Sequence, residues 1–124
     1  MMDRKALIRA YREQRPVMGV YRIRRRDTGR AFVGTSVNVP AIFNRERLQL
    51  RFGAHGIASL QQDWNALGED AFEFEMLDAL EWPDNAPDYR PADDLAALLE
   101  MWKERLALTP ELTYAPLARR GVVT

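Results

Sequence analysis

The sequence predicts a small α+β fold: a three-stranded, mainly antiparallel sheet flanked by helices. Three observations carry that expectation. Two strand-like runs, Val17 to Arg25 and Arg30 to Gly34, stand on either side of Asp27-Thr28-Gly29, a turn signal, and so read as a β-hairpin. Phe72-Glu73-Phe74-Glu75-Met76 alternates at period two, the pattern of a half-buried strand. Around these runs, apolar residues recur at helical spacing in four segments.

In chain order, Asp3 can cap a first helix with Ala6, Leu7, Ala10 and Tyr11 on one stripe, and Arg15-Pro16 ends it. The hairpin follows. Pro40 suits the first turn of a helix that runs to about Arg51 and stops at Gly53. Its expected apolar side is Ala41, Ile42, Leu48 and Phe52 with the stem of Arg45, which leaves Arg47 and Arg51, four apart, on a common flank. A loop then carries His55 between Gly53 and Gly56. Ser59 to Leu67 presents Leu60, Trp64 and Leu67 on one side and ends at Gly68. After the Phe72 strand, Trp82 to Ala92 is rich in Pro and Asp and reads as a loop. Asp93 or Asp94 caps the last helix, which holds Leu95, Leu98, Leu99, Trp102 and Leu106. Past Pro110 there is no strong period. The expected organisation is a helical extension at 1–16, a domain at 17–108 and a tail at 109–124.

The chain has 124 residues, enough for one domain with a real core. With no cysteine, it has no disulfide, thiolate zinc site or cysteine nucleophile to offer; a single histidine excludes a multi-histidine metal site within it. No apolar run is long enough to span a bilayer, and residues 1–15 lack the apolar stretch of a signal peptide, so the cytoplasm is the expected compartment and no membrane the expected contact. The net charge of zero hides an asymmetry. Residues 1–60 hold 13 Lys/Arg against four acids, and residues 61–124 hold five against 14, so the halves carry +9 and −9. That pattern fits a polyanion-facing surface, and it equally fits two halves that neutralise each other inside one domain.

Gly19-Val20-Tyr21 in the first strand and Phe32-Val33-Gly34 in the second, followed by Ser36, Asn38 and a helix, resemble the GIY-YIG nuclease family. The similarity continues through Leu60, Asp63-Trp64-Asn65, Gly68 and the Phe72-Glu73-Phe74 strand, over roughly residues 17–106. The resemblance implies divalent-metal-assisted cleavage of phosphodiesters, with Mg²⁺ or Mn²⁺ as cofactor. In that chemistry a tyrosine helps to activate water or acts itself as general base, an arginine stabilises the charged phosphate, and a glutamate holds the metal.

Carried onto this chain, the resemblance assigns Tyr21 to the tyrosine role. Phe32 stands where the second motif has its tyrosine and lacks the hydroxyl. The arginine position, eight residues past Gly34, is Ile42, so Arg45 or Arg47 is the expected substitute. The metal glutamate, three residues before Trp102, would fall on Leu99, which leaves Glu100 as the candidate ligand. His55 beside the basic helix is a candidate for phosphate contact, and Ala115 follows Tyr114 where an asparagine is common. Arg22, Arg24, Arg51 and Asn38 complete the expected nucleic-acid contacts.

These readings lead to an endonuclease-like protein acting on nucleic acid, DNA above all, with activity weak or lost. The alternative is a catalytically silent domain that binds nucleic acid or protein through the same face. A further reading makes the acidic half and the Trp82–Ala92 loop a contact surface for a protein partner or a second copy.

Overall fold

The computed structural model describes residues 3–6, 15–84 and 86–116. Three strands, β1 (Met18–Arg25), β2 (Ala31–Ser36) and β3 (Phe72–Leu80), form one antiparallel sheet in the order β2-β1-β3. Among the described residues three full helices flank it: α1 (Val39–Arg51), α2 (Ala58–Leu67) and α3 (Ala92–Leu106). The predicted α+β architecture is the one found. Most of the predicted first helix lies outside the described residues, although the Asp3 Oδ1 cap accepts a bond from the Ala6 N–H at 2.7 Å.

The central strand explains the layering. Met18, Val20 and Ile23 are fully buried and Tyr21 is 3% exposed, so β1 must be covered on both faces. Tyr21 and Ile23 pack with Val39 and Leu50 of α1, Leu60 and Trp64 of α2, and Phe72. Met18 and Val20 point to the other face, which α3 covers; there the Trp102 Nε1–H donates to Asp78 Oδ2 at 2.9 Å, and Asp78 is the register partner of Val20. A bulge between Val20 and Tyr21 shifts the β3 register.

Two glycines are set by close approach. A Cβ on Gly19 would lie 1.9 Å from the Asp78 carbonyl oxygen, closer than any contact a real Cβ makes. A Cβ on Gly34 would lie 2.9 Å from the Phe32 ring and 3.1 Å from the Tyr21 hydroxyl. Gly34 is the cross-strand partner of Tyr21, so its bare backbone is what lets the phenol extend over β2.

Two expectations are corrected. The apolar side of α1 is not Ala41, Leu48, Phe52 and the Arg45 stem: Leu48 is 51% and Phe52 80% exposed, and the buried positions are Val39 and Leu50, with Ile42 and Phe43 packed against them. Both stripes repeat at three and four residues, so periodicity alone does not choose between them. The carboxylates of Asp93 and Asp94 do not cap α3, which follows Pro91 with no side-chain cap; Asp94 instead accepts from the Tyr89 hydroxyl at 2.7 Å. Part of the segment past residue 108 is anchored. Tyr114 is 1% exposed, its N–H donates to the Ala31 carbonyl at 2.9 Å, and its hydroxyl donates to Asp63 Oδ2 at 2.5 Å. Asp63 also meets Arg25 at 3.2 Å and Arg30 at 3.4 Å, which ties α2, the hairpin and Tyr114 into one knot.

Candidate functional site

Tyr21 stands at the centre of the predicted site, but its ring is core rather than wet surface. Phe43 meets it edge-on at 5.6 Å and Phe32 at 6.0 Å. The hydroxyl makes no hydrogen bond among the described residues, and no buried side-chain polar atom there lacks a partner, so this oxygen keeps a narrow window to solvent above Gly34. Burial pushes the phenol well above its ordinary value, and the nearby charge of Glu46 pushes it further in the same direction. A phenolate is therefore far from available at neutral pH, which counts against Tyr21 as a general base.

Glu46 is the residue that the sequence reading passed over. It lies on α1 in step with Val39, Phe43 and Leu50, at intervals of four, three and four, and so turns inward with them. Its side chain is 12% exposed and bonds His55 Nε2, whose own side chain is 4% exposed. His55 Nδ1 accepts from the Ile57 N–H at 3.0 Å, so Nε2 carries the proton and donates it to the carboxylate. Gln61 completes the support: its Oε1 accepts from the His55 N–H at 3.0 Å, and its Nε2 donates to the Leu50 carbonyl and to Asn65 Oδ1, both at 2.9 Å. His55, expected in a loop free to touch phosphate, is locked.

The expected cations divide into two groups. Arg22 bonds Glu75 through Nε at 2.7 Å and Nη2 at 3.2 Å, its cross-strand partner. Arg24 lies 3.9 Å from Glu73, also its cross-strand partner, and Arg26 lies 2.9 Å from the same carboxylate. Arg51 bonds both Glu69 oxygens at 2.8 Å, which holds that carboxyl below the ordinary range. The basic and acidic halves thus neutralise each other across the sheet. Arg45 and Arg47 are in no ion pair among the described residues: Arg45 is exposed, and the Arg47 guanidinium rests 4.2 Å over the Phe74 ring. Asn38 is a helix cap, its Oδ1 accepting from the Ala41 N–H at 3.1 Å.

At the positions that the resemblance assigns to the metal, the described side chains do not fit a divalent ion. Leu99 has no donor, and Glu100 is 71% exposed and lies 3.6 Å from Lys103 on the outer side of α3. Among the described residues no three His, Asp or Glu side chains group to hold an ion. None of the helices among those residues is long and apolar enough to cross a membrane.

The fold is that of a known nuclease domain. The catalytic domain of the homing endonuclease I-TevI, a GIY-YIG endonuclease, superposes with a TM-score of 0.63 at 21% identity, over 78% of this chain and 95% of that one. A point mutant of the I-TevI catalytic domain superposes equally, at 20% identity over 82% and 97% of the two chains. No protein-family model and no curated protein matches the sequence.

Proposed function

We propose that this chain is a nucleic-acid-binding domain built on a nuclease fold, in which metal-assisted phosphodiester hydrolysis is weak or lost. One observation carries the reading: the charged α1 side chain that turns inward beside Phe43, the ring packed on Tyr21, is the Glu46 carboxylate, whereas Arg45 is exposed and the Arg47 guanidinium lies over Phe74. Attack on a phosphodiester builds negative charge on the non-bridging oxygens. Here that charge would develop near a carboxylate, with Ile42 and Leu99 at the positions where the resemblance expects an arginine and a metal ligand.

Binding survives the loss of these groups because phosphate contacts need only accessible cations. Arg45 and Arg47, the α1 arginines without a carboxylate partner, supply them, and DNA is the expected polyanion. The test is a plasmid-nicking assay with Mg²⁺ and with Mn²⁺, run beside a salt titration of DNA binding. No nicking, and binding that weakens steeply with salt, is the expected pair of results. Metal-dependent nicking that disappears in Tyr21→Phe would overturn the silent reading. Absence of both nicking and binding would leave a protein-interaction domain.

A further inference from the structure

The outward stripe of α1 has no role in the core. Ala41, Arg45, Leu48 and Phe52 recur at four, three and four residues and so share one line on the helix, and all are exposed. Phe52 is the extreme case, with 80% of its surface in water at the end of the helix. Arg45 has no ion-pair partner among the described residues. The stripe itself carries no acid, because Glu46, the only carboxylate of α1, turns inward to His55. Arg51, beside Phe52, is held by Glu69, so Arg45 is the available cation of this surface.

We infer that this stripe contacts single-stranded nucleic acid, with an unpaired base stacked on Phe52 and a phosphate at Arg45. The inference rests on the nucleic-acid reading above and narrows its ligand. Any base has a π-face, so an aromatic ring left in solvent binds without sequence preference. Bases of a duplex are already stacked on one another and must be unstacked, at a cost, before a ring can enter, whereas an unpaired base is free to stack. Arg45 and Phe52 lie on the same side, about 10 Å apart along the axis, so one strand can meet both. A protein partner suits the stripe less well. A stable interface buries about 1,200–2,000 Å², and this one offers two large apolar side chains beside a cation with no acid of its own to match in a second copy.

The experiment compares a fluorescent oligodeoxythymidylate of about 12 nucleotides with its duplex, by anisotropy, for the whole chain and for Phe52→Ala, Phe52→Trp and Arg45→Ala. Because Phe52 is exposed, these variants should fold, and circular dichroism checks that they do. Phe52→Ala should weaken single-strand binding about tenfold and leave duplex binding within error. Phe52→Trp should keep the affinity and show tryptophan quenching on binding. Arg45→Ala should reduce the slope of log K against log salt by about 0.7. Unchanged single-strand affinity in Phe52→Ala, with normal duplex binding, overturns the stripe and spares the wider reading. Failure of the unmodified chain to bind either form sinks the wider reading itself. Loss of a dimer in Phe52→Ala, seen by sedimentation without any change in single-strand affinity, overturns the inference in favour of self-association.

Discussion

At Tyr21 the ring and the hydroxyl have different surroundings, and the difference can be measured. The ring fills the space between Phe32 and Phe43, whereas the hydroxyl bonds nothing among the described residues. Tyr21→Phe should therefore change stability at neutral pH by less than about 1 kcal/mol, since no hydrogen bond is lost. Alkaline pH should separate the two proteins. The folded chain holds the phenolic proton above the ordinary value of 10.0, so this contribution is intact below that value and drains away as pH rises toward the folded one. Tyr21→Phe should resist alkali better than the unmodified chain, while Tyr114, also shifted upward by burial and then by its bond to Asp63, leaves part of the sensitivity in place. Urea unfolding near neutrality and again above the tyrosine range tests this. Equal effects of the substitution at both pH values would mean that the phenol is not protected as described.

At the scale of elements, the two motif glycines should not be equivalent. A methyl group on Gly19 meets the backbone carbonyl of Asp78, which cannot move without opening the β1–β3 bulge. At Gly34 it meets the ends of two aromatic side chains, which can shift by tenths of an ångström. Gly34→Ala should cost about 1–3 kcal/mol, an ordinary overpacking penalty, and Gly19→Ala more. Thermal unfolding of both variants decides it, and a Gly19→Ala protein as stable as Gly34→Ala would show that β3 is not pinned there. The hairpin, the alternating strand and the α3 stripe were legible in the sequence because each has one dominant pattern. The face of α1 was not, because its two apolar stripes compete and only the tertiary contacts of Val39, Phe43 and Leu50 decide between them. Glu46 was hidden for the same reason: a glutamate beside two arginines reads as solvated surface until the helix is turned inward. The pairing of Arg22 and Arg24 with Glu75 and Glu73 depends on strand register, which connects residues about fifty apart in the chain.

Across the whole molecule, the fold is that of a nuclease domain while other residues stand at the polar positions that the resemblance assigns, so the fold should accept those polar residues. Phe32→Tyr, Ile42→Arg and Leu99→Glu together restore the hydroxyl, guanidinium and carboxylate that the resemblance expects. These three should not suffice. Residue 42 lies four positions before Glu46 on one helix, the spacing at which an arginine and a glutamate pair, so the new guanidinium would be neutralised before it met a phosphate. Adding Glu46→Gln removes that competitor and the negative charge beside Tyr21, at the cost of the charged partner that His55 now bonds. The expected series is no nicking by the unmodified chain, little by the triple variant and metal-dependent nicking by the quadruple one, each measured on supercoiled plasmid with Mn²⁺ after its fold is checked by circular dichroism. Equal activity in the triple and quadruple variants would show that Glu46 does not oppose catalysis. A folded quadruple variant without activity would mean that α3 does not bring residue 99 to the Tyr21 window, and that the difference from a working nuclease site lies in how the helices are set as well as in which side chains they carry.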